Sequence, residues 1–227
     1  MEPFSHDRAA APWPFRAHVG SCVLGLVLGF AGTARAEEGT PNGARRVGSA
    51  QLGMAFVAEG VPDAGSVCPD DATAPCILRA GGGVGIRIGY RTPGPWFVGG
   101  VYEFTRHESS SLLRLAILQQ FRAEGRYYFD AGNRTTPFLA GGLGFHLYGS
   151  EWTADTGGLV ASLGGGVALE LTPRTVIGFM ASYRVLLPRT WTDAAGQERA
   201  DGPLGFGIAH LIGLELTFEI RDPVPHW

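Results

Sequence analysis

The chain has 227 residues, a formal net charge of −3, 45% hydrophobic and 17% charged residues, and 35 glycines. All 18 basic residues are arginine, and only three cysteines occur. This balance excludes a basic nucleic-acid binder, an acidic disordered chain and a disulfide-built scaffold. The length suits one domain. Glycine is about twice as frequent as usual, and the charged fraction falls below the roughly 25% of ordinary soluble domains.

Residues 1–36 read as an address. Arg8 and Arg16 precede the uncharged apolar run Val19–Gly32, and Thr33-Ala34-Arg35-Ala36 closes it. A basic start, a short apolar stretch and a small-x-small end mark a secretory signal peptide, with cleavage expected after Ala36. Fourteen apolar residues are too few for a retained membrane helix, which needs about 20. Most of the apolar run lies after Cys22 instead of before it, which argues against a lipidation site. A short segment, 37–47, separates the leader from the patterned region. The two remaining cysteines, Cys68 and Cys76, form an even pair in an exported chain and are expected to close a disulfide; two free thiols are the alternative.

From residue 48 the pattern is period-2 alternation, the mark of strands with two different faces. Eight strands are predicted at 48–60, 77–91, 96–106, 112–129, 137–149, 158–171, 176–187 and 205–221. In the second, Leu78, Val84, Ile86, Ile88 and Tyr90 oppose Arg79, Arg87 and Arg91. In the sixth, Leu159, Leu163, Val167, Leu169 and Leu171 oppose Ser162, Gly164, Gly166 and Glu170. In the last, Ile212, Leu214, Leu216, Phe218 and Ile220 oppose Glu215, Thr217, Glu219 and Arg221. Brief Pro-, Gly- and Asn-containing links follow strands two, four and six, at 92–95, 130–136 and 172–175. Longer ones follow strands one, five and seven, at 61–76, 150–157 and 188–204, and only the short link near His107–Ser111 departs from this rule. An even number of antiparallel strands with turns on one rim and loops on the other describes an all-β, up-and-down barrel.

Volume decides which face is inside. The apolar faces carry about forty large side chains, whereas a core of eight strands holds roughly a dozen. The apolar side must therefore face outwards, and that much outward apolar surface needs lipid. The other face carries glycines 81, 83, 85, 89, 142, 144, 164 and 166. Exposed strands rarely use glycine, but a crowded lumen needs small residues. Among them lie Arg79, Arg87, Arg114, Arg122, Arg126, Arg184 and Arg221, with Glu59, Glu103, Glu124, Glu170, Glu215 and Glu219 as counter-charges. Such pairs are expected to plug a narrow lumen, and the arginine fork suits them better than lysine. Aromatics at strand ends (Tyr90, Trp96, Tyr127, Phe129, Tyr148, Trp152) match interfacial girdles.

On these features the chain resembles the small eight-stranded outer-membrane β-barrel proteins, the OmpA-like and OmpX-like transmembrane barrels. The resemblance covers 48–221 as the barrel and leaves 222–227 as a tail. It implies termini in the periplasm, loops outside, and partners in outer-membrane lipid, lipopolysaccharide and the barrel-assembly machinery. Gly213, Leu216 and Phe218, a glycine followed by hydrophobics at spacings three and five, look like the family's assembly signal.

No G-x-S-x-G elbow, H-E-x-x-H, Walker loop or C-x-x-C occurs, and no cofactor or metal is expected. The glycine runs at 81–85 and 164–166 open no helix and read as bends and lumen space. His107, beside Glu108, Ser109 and Ser110, is expected in an outer loop, where consecutive residues do not converge into a triad. His146 falls on the lumen face with Tyr148. His210 falls on the lipid face, where a polar group is costly; either a bulge shifts the phase before Ile212, or it sits at the rim. The loops are acidic, with Asp63, Asp70, Asp71, Glu108, Glu151, Asp155, Asp193, Glu198 and Asp201 against Arg189 and Arg199. That rim is read as solvated, with divalent bridges to lipopolysaccharide phosphates as the alternative. The functional expectation is a non-enzymatic role in membrane structure, surface interaction or adhesion. The rivals are a lipid A-modifying barrel enzyme, a small-solute pore and a secreted soluble barrel.

Overall fold

The computed structural model describes residues 48–68, 75–109, 116–129, 134–150, 153–193 and 196–223. The expected leader, the segment 37–47, Asp70, Asp71, Ser110, Arg114, Glu151, Trp152 and the tail from 224 lie outside them. Eight long strands form the barrel: β1 Ser49–Asp63, β2 Gly81–Arg91, β3 Trp96–His107, β4 Ala116–Tyr128, β5 Thr135–Gly149, β6 Ala154–Thr172, β7 Thr175–Pro188 and β10 Ala209–Pro223. A two-stranded ribbon, β8 Trp191–Thr192 and β9 Glu198–Arg199, interrupts the link between β7 and β10. The order β1-β10-β7-β6-β5-β4-β3-β2 closes on itself, and every pair is antiparallel.

Register sets the dimensions. Paired residues lead from Ile220 through Leu52, Ile88, Gly100, Ala123, Leu143, Ala161 and Val185 back to β10 at His210. The circuit is displaced by ten residues (220 − 210). With ~3.3 Å per residue and ~4.8 Å between strands, eight strands and this shear give a tilt of roughly 40° and a backbone radius of roughly 8 Å. Ile220 and His210 are then separated by roughly 25 Å along the barrel axis, the height of an outer-membrane apolar band.

Alternation runs through all eight strands. Leu52, Met54 and Phe56 of β1, Val84, Ile86 and Ile88 of β2, and Ile212, Leu214, Leu216, Phe218 and Ile220 of β10 point outwards and are exposed. At the turn end, Tyr90, Trp96, Tyr127 and Phe129 form an outer aromatic edge; Trp96 and Tyr127 meet edge-on with centroids 5.0 Å apart. Near the loop end two outward tyrosines are tied to polar groups: Tyr102 Oη donates to Gln119 Oε1 at 3.1 Å, and Tyr183 Oη lies 2.6 Å from His210 Nδ1. Tyr148 does not join a girdle. It lies on the inner face, buried, with its hydroxyl donating to the Ile77 carbonyl.

Several strand ends differ from the sequence expectation. β2 begins at Gly81, because Ile77 and Leu78 leave the wall and bury themselves in the barrel mouth. β3 extends to His107, and β6 begins at Ala154, so the β5–β6 link shrinks to four residues. The interior face is also less polar than expected. Phe97, Tyr128, Phe138, Ala140, Ala168, Val176 and Met180 form an apolar cluster at the turn end. A second fills the loop end, where Leu118, Tyr148, Val160, Leu186 and Leu211 of the wall meet Val67, Ile77, Leu78 and Ala200 of the loops.

Candidate functional site, a charged lumen under a loop lid

Between the two apolar clusters lies one continuous chain of ion pairs. Arg184 of β7, with a fully buried side chain, is its hub. Its Nη1 donates to Glu59 Oε1 and Glu103 Oε2, each at 2.5 Å, and its Nη2 to Glu215 Oε1 at 2.6 Å. Arg122 grips Glu103 with both terminal nitrogens, at 2.5 and 3.1 Å. Arg87 joins Glu215, at 2.9 Å, to Glu124, at 2.8 Å. Arg126 carries the chain on from Glu124, at 2.7 Å, to Glu219, at 2.9 Å. Gln51 caps Glu219, and Gln120 donates to Glu59 Oε1 at 2.9 Å.

Burying an ion costs several kcal/mol unless its partners and remaining lone pairs are satisfied. Here every carboxylate receives at least two donors, and each arginine uses its planar fork on more than one acceptor or with two nitrogens. Inner-face glycines make the room. A Cβ on Gly213 would come within 3.0 Å of Arg184 Nη2, and one on Gly53 within 2.9 Å of Glu219 Cγ. At the turn end the guanidinium of Arg126 also lies over Phe138, 4.8 Å from its centroid, so the charged chain is seated on the apolar cluster there.

Not all the sequence candidates meet. Arg79 is outside the network: it is exposed, precedes β2, and only its backbone carbonyl reaches inwards. The early start of β2 is the cause, because without strand geometry the alternation no longer assigns Arg79 a face. Glu170 is half-exposed at the turn-end rim, where Arg221 Nη1 donates to it at 2.5 Å. Gly213 faces the lumen, while Leu216 and Phe218 face outwards. Cys68 and Cys76 are bonded to each other, with Cα atoms 4.9 Å apart.

Sequence reasoning missed His107, Gln51, Gln120 and Arg199. The first three share the parity of Glu103, Arg87 and Arg122 along or across the strands, which is the signal that would have found them. His107 is not a loop residue but the last of β3, buried against Glu59 with Nε2 to Oε2 at 2.9 Å. Arg199 had no such signal. It is fully buried in the lid that the two long loops build over the mouth. There it donates to Asp193 at 2.9 Å and to the Val67 and Pro75 carbonyls, each at 3.3 Å. Ala200 N–H to the Ser66 carbonyl, at 2.8 Å, pins the same loops together. With Arg199 withdrawn, the exposed charges at the loop end are Asp63, Glu108, Asp155, Glu198 and Asp201, with Arg79, Arg106 and Arg189 among them.

The three histidines of the barrel sit apart, on β3, β5 and β10. His146 is buried, and its Nδ1 meets the Leu159 carbonyl at 3.2 Å. His210 points outwards beside Tyr183 with no change of phase in β10; the irregular register lies across from it in β1, between Gly60 and Asp63. Among the described residues no cluster of metal-ligating side chains occurs.

No family model and no curated protein matches the chain. Solved structures do. The outer membrane protein OprG from Pseudomonas aeruginosa is 13% identical, with a TM-score of 0.50 over 79% of this chain and 98% of that one. Neisserial surface protein A (15% identity, TM-score 0.48) aligns over 78% of this chain and 97% of that one. AlkL, determined in lipid bilayers (13% identity, TM-score 0.47), aligns over 84% and 98%. At such identities the likeness to OprG establishes architecture alone. The chain has the fold of the small eight-stranded outer-membrane barrels.

Proposed function

We propose that the chain is an integral outer-membrane protein with a closed lumen that works through its surface, in membrane structure, surface interaction or adhesion, and catalyses no reaction. One observation carries this reading. Along the interior lie an apolar cluster, a continuous ion-pair chain and a second apolar cluster roofed by loops, an arrangement that supports a closed lumen. A backbone radius of roughly 8 Å leaves space for side chains but not for an aqueous path beside them. The outward apolar band supports a barrel wall in contact with lipid. The termini and short turns then lie in the periplasm and the disulfide-bonded loop outside, with lipopolysaccharide around the acidic rim. Gly213, Leu216 and Phe218 are the residues offered to the assembly machinery.

Two measurements test this. The folded protein should fractionate with the outer membrane and show heat-modifiable gel mobility; recovery in the aqueous fraction would remove the membrane reading. In planar bilayers it should give no resolved single-channel steps, and steady conductance steps would remove the closed lumen.

A second reading rests on His210 and Tyr183, a hydrogen-bonded pair on the outer face where the apolar band ends. A lipid-modifying enzyme would place its acid–base group there. Unchanged lipid A mass on deletion or expression of the chain would eliminate it.

A further inference from the structure

His107 is surrounded by acceptors. Its Nδ1 lies 2.6 Å from the Arg79 carbonyl oxygen, which has no proton to give. Its Nε2 lies 2.9 Å from Glu59 Oε2 and 3.1 Å from Thr105 Oγ1. The Thr105 hydroxyl can donate to the Leu118 carbonyl, at 3.3 Å, which leaves its oxygen to face the ring as an acceptor. A neutral imidazole has one N–H and one bare lone pair. Here a bare Nδ1 would oppose a carbonyl and a bare Nε2 would oppose a carboxylate. Both nitrogens therefore call for a proton.

The carboxylate it touches lies at one end of the charged chain. Glu59 is met there by the guanidinium of Arg184 and the amide of Gln120, and its second oxygen, Oε2, faces the His107 ring. The pocket is also shaped for the ring. Gly81 of β2 lies under it, and a Cβ there would come within 2.7 Å of its Cγ and Nδ1.

We propose that His107 is held as an imidazolium against Glu59, and that its Nδ1 proton ties the disulfide-bonded loop to the charged chain. Loss of that proton turns the Arg79 contact repulsive and leaves Glu59 short of a counter-charge. The groups facing the ring are Glu59 from β1, Thr105 from β3 and the Arg79 carbonyl from the loop. Gln120 of β4 and Arg184 of β7 reach the same Glu59 carboxylate.

Two readouts test the proposal. In protein labelled with 15N-histidine and folded in micelles, the resonance pair lost in His107→Asn should show two protonated ring nitrogens at neutral pH. One bare nitrogen would put the proton on Glu59 or nowhere and overturn the assignment. In urea titrations His107→Gln should lose about a hundredfold in the folding equilibrium constant, since it leaves a buried charge unbalanced. Glu59→Gln/His107→Gln, which removes both charges, should recover most of that loss. A double variant no more stable than the single one would overturn the proposal.

Discussion

The deepest dependence lies at Arg184. Its guanidinium serves three carboxylates at 2.5 to 2.6 Å and is fully buried. Arg184→Met keeps most of the volume and removes the charge, so Glu59, Glu103 and Glu215 each lose a donor together. Removing one partner of a buried pair costs about 3–5 kcal/mol, and a hub with three partners belongs at the upper end. That is a loss of roughly two to four decades in the folding equilibrium constant at ~1.4 kcal/mol per decade. Arg184→Lys keeps the charge but cannot reach three acceptors with a fork, so its cost should fall between wild type and Met. Arg189→Met, on an exposed loop, should stay within about 0.5 kcal/mol. Urea unfolding of the folded barrel, followed by tryptophan fluorescence and gel mobility, measures all three. If Arg184→Met stays within about 1 kcal/mol of wild type, or Lys is worse than Met, packing and not charge holds the lumen together.

Other outcomes follow from the same geometry. Phe56 is 69% exposed near the middle of the outward band, so Phe56→Arg should cost about 2–4 kcal/mol in bilayers; a neutral effect would argue against lipid contact. Gly144→Val should abolish the heat-modifiable form, because its Cβ would sit 1.8 Å from the Phe121 carbonyl oxygen, a backbone atom that cannot move aside. Gly196→Ala meets nothing within 4 Å and pays only for its φ of +79°, roughly 1 kcal/mol. Replacing Cys68 and Cys76 by serine should lower stability by about 2–3 kcal/mol, as expected for so short a ring, while gel mobility still reports a folded barrel.

How far the site could be read in advance depends on where each residue sits along its strand. Arg87, Glu103, Arg122, Glu124, Arg126, Arg184, Glu215 and Glu219 lie well inside strands, where parity alone sends each side chain to one face. Arg79 and His107 sit at strand ends, and an error of a few residues in the boundary reverses their placement. Leu78 fits the outward parity of β2 in the sequence, yet it turns into the mouth with Ile77, where both pack under the loops. Phe97, Tyr128 and Phe138 share the parity of the charged face; their hydrophobicity gave no hint that they would line the lumen beneath Arg126. For Arg199 nothing local distinguishes a lid residue from a solvated loop arginine.

Alternation and volume, both properties of the bare sequence, determined that this chain forms a barrel with its apolar side outwards and glycines among charges inside. They act within one strand or as a sum over all strands, so no long-range geometry is needed. The shear of ten, the partner of each charge, the apolar clusters at both ends and the lid on Arg199 were decided by tertiary structure. Each depends on which residues closure brings to the same height from strands far apart in the chain, such as Glu59 and Arg184. Period-2 patterning is blind to a shift along the strand by two.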